Sequence, residues 1–154
     1  MSTGSNQPAV DSARGVRPGE EVDAGALERY FTANVPELAG KPVTVKQFPG
    51  GHSNLTYLLT VGDRDVVMRR PPFGTKVKSA HDMGREQRIL SALGKHYPLS
   101  PKVISYSEDP SVMGAPFYVM ERLRGIIVRK DIPEGVNLGE GGLRKLCLNL
   151  VDAL

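Results

Sequence analysis

The apolar positions change period several times along the chain, and each change marks an element. Leu27, Tyr30 and Phe31 fall at i, i+3 and i+4 behind Asp23, a residue type that caps helix N-termini. A short helix is therefore predicted, ending near Asn34 ahead of Pro36. From Val43 the period drops to two, with Val43, Val45 and Gln47 alternating with Thr44, Lys46 and Phe48 up to Pro49-Gly50-Gly51. A stronger alternation follows, placing Leu55, Tyr57, Leu59 and Val61 on one face and Asn54, Thr56, Leu58 and Thr60 on the other. Gly62-Asp63 supplies turn chemistry, and Val66 to Arg70 returns as a third strand until Pro71-Pro72 removes the ladder donors.

Beyond the prolines the helical period resumes. Ser79 or Asp82 can cap a helix whose apolar positions are Met83, Ile89, Leu90 and Leu93 and which Gly94 closes. Val103 to Tyr106 and Phe117 to Met120 are two further short strands, separated by the turn-rich Asp109-Pro110-Ser111 and Gly114-Ala115-Pro116. The order is strand, strand, strand, helix, strand, strand. Leu143, Leu146, Cys147, Leu150, Val151 and Leu154 then mark one face of an amphipathic helix that lacks a capping glycine, a basic last turn or a following proline. The expectation is a helix cut short within its pattern, with an apolar face meant for a missing lobe or a partner chain. Residues 1–20, rich in Ser, Gly, Pro and Asn, bury too little apolar surface to offset their ordering entropy and are expected to form a disordered tail. No internal repeat is found.

Composition narrows the class. A chain of 154 residues suits one folded unit, and 40% hydrophobic with 24% charged residues is ordinary globular usage. Nothing is membrane-like. The net charge of +3 arises from 20 basic against 17 acidic residues, with no basic stripe interleaved with aromatics, so a nucleic-acid partner is not expected. Cys147 stands alone and His52, His81 and His96 form no ligand pattern, which argues for a reduced compartment and against a metal site. Met1 to Val10 has neither a basic nor an apolar leader segment, so the cytoplasm is the expected location.

Four segments could carry chemistry. In Phe48-Pro49-Gly50-Gly51-His52-Ser53-Asn54, adjacent glycines between two strands can bring backbone amides to phosphate oxygens, although alone such a pair is more commonly a hairpin turn. Arg69, at the end of the third strand, sits where a cation reaches phosphates under that loop, and period two puts Val67 beside it as an apolar wall. Taken alone, the bland alternative of a solvated strand end is the commoner case. Glu86, on the following helix, is placed to pair with the strand cation, or instead with Arg85 or Arg88 at the helix surface. Phe117 to Gly125 is an apolar strand that turns polar. Its exit offers a flat slot guarded by Met120 and backbone groups for a purine edge, and its plainer reading is a core strand followed by a loop.

Taken together and in order, Phe48-Pro49-Gly50-Gly51-His52-Ser53-Asn54-Leu55-Thr56-Tyr57, Val66-Val67-Met68-Arg69-Arg70-Pro71-Pro72, Arg85-Glu86 and Gly114-Ala115-Pro116-Phe117-Tyr118-Val119-Met120-Glu121 resemble the aminoglycoside phosphotransferase and choline-kinase-like family. The likeness is greatest to the branch found beside acyl-CoA dehydrogenases. The resemblance implies an α+β fold, the N-terminal lobe of a protein-kinase-like fold, with an antiparallel five-stranded sheet, one packed helix and N- and C-terminal helices. It divides the chain into the tail, a lobe over residues 21–124, and a linker with the truncated start of a C-terminal lobe over 125–154.

What the resemblance implies for the site is ATP and Mg²⁺ held between two lobes. Gly50, Gly51, His52, Ser53 and Asn54 would cover phosphates, with Val67 beside Arg69 in the strand cation role and Glu86 orienting it. Met120 would guard the adenine slot, and Glu121 and Leu123 would offer backbone to adenine. Arg69 replaces the lysine usual in kinases, keeping the charge but presenting a planar fork. The family's catalytic His-Gly-Asp-like motif and metal-binding Asp do not occur, and neither Asp131 nor Asp152 matches them. The implied activity is ATP-dependent phosphotransfer to a small-molecule hydroxyl, with no catalytic residue or metal ligand within this chain and no turnover by it alone. The alternative is a non-catalytic module that binds nucleotide or docks a partner chain through Leu143 to Leu154.

Overall fold

The structure is a computed structural model describing residues 12–49, 54–74, 82–126, 132 and 135–152. Residues 12–123 make one compact unit, and the helix near the C-terminus belongs to a second. Helix α1, Ala24–Asn34, starts where Asp23 accepts a hydrogen bond from the Ala26 amide at 3.1 Å and buries Leu27, Tyr30 and Phe31. Pro36 opens a single 3-10 turn, Pro36–Leu38, that sinks Leu38 into the core.

Five antiparallel strands follow: β1 Val43–Gln47, β2 Leu55–Val61, β3 Arg64–Arg70, β4 Val103–Ser107 and β5 Phe117–Glu121. They are ordered β1-β2-β3-β5-β4 in the sheet. β3 begins two residues earlier than the apolar pattern suggests, since Gly62, at φ 63°, turns the chain tightly and lets Arg64 pair with Val61. The alternation fixes the faces. Leu55, Tyr57, Leu59 and Val61 of β2, Val66 and Met68 of β3, and Phe117 and Val119 of β5 enter the cluster that holds Leu27 and Phe31 of α1. Tyr30 meets the Phe117 ring edge-on at 5.0 Å. Fully burying such side chains contributes about 1.5–3 kcal/mol each, so this first face carries the stability of the unit.

Helix α2, Met83–Leu93, is capped by Asp82, whose side chain accepts from the Arg85 amide at 2.7 Å, and it ends at Gly94. Its attachment differs from the expected one. Only Met83 and Gly84 are buried, whereas Ile89 and Leu93 are 54% and 44% exposed, so the predicted apolar stripe is not what seats the helix. Between β4 and β5 the two turn signals bracket a short helix α3, Pro110–Met113, capped by Asp109 and closed by Gly114 at φ 71°. Met113 plugs the first-face core.

The expected disordered tail does not hold for residues 12–20. Arg14 exchanges backbone hydrogen bonds with Gln47 at 2.8 and 2.9 Å, extending the sheet beyond β1. The Gln47 side chain accepts from the Arg17 amide at 2.9 Å and donates to Glu20, and the Tyr57 hydroxyl donates to the Glu20 carbonyl at 2.7 Å. Composition missed this because the segment is held by polar groups of the sheet edge, with Val16 packed against the core, and not by a sizeable apolar face of its own.

In the second unit, helix α4, Gly142–Asp152, forms where the helical period predicts it. None of its residues is buried, and Leu143, Leu146, Leu150 and Val151 are all exposed. Among the described residues no helix is long and apolar enough to cross a membrane.

Candidate functional site

The second face of the sheet is built from the residues that alternate with the core. The register runs Leu58 against Val67 and Val67 against Met120, giving one apolar row across β2, β3 and β5. Leu58 and Val67 are buried and Met120 is half-buried. The next row pairs Thr56 with Arg69 and Arg69 with Tyr118. The cation thus stands one residue step along the sheet from the apolar wall, as period two requires.

Arg69 Nη1 lies 3.0 Å from Glu86 Oε2, bridging β3 to the first turn of α2. Both side chains retain 31% exposure, so the pair is reachable from solvent. Glu86 pairs across to the strand, with Arg69, and not along its own helix with Arg85 or Arg88. Two further donors complete its shell. Asn54 Nδ2 donates to Oε1 at 2.7 Å, and the Tyr118 hydroxyl donates to Oε2 at 3.0 Å. Arg69 Nη1 also reaches the Tyr118 oxygen at 3.4 Å. Burial, opposed by Arg69 and reinforced by Glu86, pushes the Tyr118 phenol up to about 12, so it remains a donor throughout the neutral range. Arg69 Nε is buried and has no hydrogen-bond partner among the described residues. An orphaned donor on a guanidinium already aligned by a carboxylate suits an oxyanion, which can accept from two nitrogens of the fork at once.

Arg70, adjacent in sequence, has a different fate. It points to the opposite face, is 2% exposed, stacks on the Phe73 ring at 3.6 Å and donates from Nε to the Pro71 carbonyl at 3.1 Å. Burial lowers its hold on the proton, partly offset by Tyr57, yet a guanidinium keeps its charge in any protein.

The strand exit is fastened as well. The Glu121 amide donates to the Lys102 carbonyl at 2.9 Å, so only its carbonyl is left for a purine edge. Leu123 is 58% exposed. Asp65 accepts from Thr60 Oγ1 at 2.8 Å and forms an ion pair with Arg122, tying the segment after β5 to the start of β3. Sequence reasoning missed Tyr118 and the Asp65 pair. The signal for Tyr118 was present: it shares a strand face with Met120, and a phenol on a buried strand needs a polar partner. Asn54 was expected over phosphate, but its side chain is committed to Glu86. Gly50, Gly51, His52 and Ser53 lie outside the described residues. Among the described residues no three His, Cys, Asp or Glu side chains converge as a metal ion needs.

A five-stranded antiparallel sheet with a strand cation held by a helix carboxylate, and an apolar row beside them, matches the N-terminal lobe of a kinase-like fold. The chain belongs to the phosphotransferase enzyme family, APH, which residues 44–154 match. Its fold superposes, with a TM-score of 0.59 and 33% identity, on the crystal structure of a Ralstonia eutropha JMP134 protein assigned as an aminoglycoside phosphotransferase, covering 71% of this chain and 30% of that one. It is also 38% identical over 120 residues to mouse acyl-CoA dehydrogenase family member 10, covering 78% of this chain and 11% of the relative. Chicken acyl-CoA dehydrogenase family member 11 is 36% identical over 124 residues, covering 77% of this chain and 16% of the relative. The chain therefore spans a small part of the length of the curated relatives it matches.

Proposed function

We propose that this chain is the nucleotide-binding lobe of a phosphotransferase that moves the γ-phosphoryl group of ATP to a hydroxyl of a small molecule. The observation that carries this is the Arg69 fork, held at 3.0 Å by Glu86 and keeping a buried Nε donor without a partner. ATP supplies the transferable phosphoryl group. Arg69 meets phosphate oxygens and offsets their charge, and Glu86 sets the plane of the guanidinium. The row of Leu58, Val67 and Met120 gives a purine an apolar wall, with the Glu121 carbonyl and the Leu123 amide at its edge. The role of covering the phosphates is assigned, from sequence alone, to the backbone of Gly50 to Ser53, which lies outside the described residues. We assign the Mg²⁺ ligands, the general base and the acceptor site to a C-terminal lobe of the whole protein.

Titration calorimetry of ATP into the chain tests this. Saturable binding that Arg69→Ala weakens at least about tenfold is expected, since a charge-assisted contact is worth about 1.5–3 kcal/mol. The chain alone is expected not to turn ATP over, because positioning of metal and base is incomplete. ATP-dependent phosphorylation by the 154-residue chain, abolished by Arg69→Ala, would overturn the division of labour between lobes. A second reading, a docking module, draws on the exposed Leu143, Leu146, Leu150 and Val151 of α4. Light scattering separates it: a concentration-dependent dimer or partner complex lost on Leu150→Glu favours docking, and a strictly monomeric chain goes against it.

A further inference from the structure

Helix α2 is held to the sheet in an unusual way. Its apolar residues Ile89 and Leu93 face solvent, and burial is confined to Met83 and Gly84 at its first turn. A helix seated by so little apolar contact needs another fastening. The Arg69 pair alone is a poor one, because an ion pair this exposed is weak and screened by salt.

We propose that Asn54 and Tyr118 are positioning residues that hold both oxygens of the Glu86 carboxylate, so that α2 stays docked beside Arg69 whether or not nucleotide is bound. Asn54 occupies Oε1 at 2.7 Å from the segment leading into β2, and Tyr118 occupies Oε2 at 3.0 Å from β5. Both donors are uncharged and already bonded to Glu86, so this fastening does not depend on the Arg69 charge. Both are buried, Tyr118 at 0% and Asn54 at 3% exposure, so their rotamers are fixed by packing before the bond forms. Hydrogen bonds from desolvated donors to a carboxylate are among the stronger ones a fold can make. Asn54 also ties the segment leading into β2 to α2. The carboxylate is thus held from β5 and from the segment leading into β2 as well as by Arg69 on β3.

This rests on the nucleotide reading only for its affinity arm. Hydrogen exchange of the α2 amides is measured in the full chain, with β2 and β3 amides as internal reference, for Tyr118→Phe, Asn54→Ala and both. Each single substitution is expected to speed α2 exchange by about tenfold and leave the reference amides unchanged. On a Glu86→Ala background, Tyr118→Phe is expected to add nothing, because the bond is already gone. Additive acceleration on that background means that Tyr118 acts by packing and overturns the proposal, as does unchanged α2 exchange in both single variants. ADP affinity is read in parallel and is expected to fall about tenfold with each substitution. Faster α2 exchange in a chain that does not bind ADP at all supports the lock and removes the nucleotide reading, while ADP binding with an unaltered α2 does the reverse.

Discussion

Adjacent arginines with opposite tasks show how much rests on one residue of register. Arg69 lies on the second face, paired with Glu86, while Arg70 is buried on the other under Phe73. Their expected phenotypes separate accordingly. Arg70→Ala should lower stability by roughly 1–3 kcal/mol through lost stacking and packing, and Arg69→Ala by less, as chemical denaturation would reveal. The reverse order would mean that the faces are misassigned. The buried phenols give a pH signature. Tyr57 and Tyr118 are both pushed from 10.0 up to about 12, chiefly by burial, so the folded chain holds these protons more tightly than the unfolded one. The stability they add is complete below about pH 10 and is lost as pH climbs through about 12. Denaturation midpoints that already fall between pH 8 and 10 would contradict that ordering. The cation was legible in sequence because period two sorted Arg69 from Arg70. Tyr118 was passed over because an aromatic in an apolar strand is usually core.

At the scale of elements, periodicity located every strand of the sheet and the helices α1, α2 and α4, since each carries apolar positions at a clear period of two or 3.6. It failed where polar contacts replaced apolar burial. Ile89 and Leu93 read as a core stripe but are exposed, because α2 is fastened at its first turn and by Glu86. Asp82→Ala should therefore cost about 1 kcal/mol of stability, and it should also speed exchange in α2 before the sheet opens. Residues 12–20 read as tail, yet Gln47 anchors them to β1 from a position 2% exposed. Gln47→Ala leaves the Arg17 amide and Glu20 without that partner. A loss of about 1–3 kcal/mol is expected, with faster proteolysis ahead of α1; an unchanged midpoint would argue against this clamp.

The whole lobe divides its labour between two faces of one sheet. The first, packed by α1 and Met113, supplies stability through apolar burial, and the second gathers polar donors and a charged pair beside an apolar row. Grouping hard-to-satisfy groups on one side of a stable scaffold is what a binding surface requires, since each must be held in place before the ligand arrives. The order of four segments pointed to this arrangement, whereas a fold alone specifies neither an acceptor nor a chemical step. The most direct measurement follows the Arg69 Nε–H resonance of the labelled chain as ADP, and separately adenosine, is added. A saturable shift with ADP and none with adenosine is expected if the orphaned donor receives phosphate. ADP binding that leaves this resonance unmoved contradicts the assignment of Arg69 as the phosphate seat.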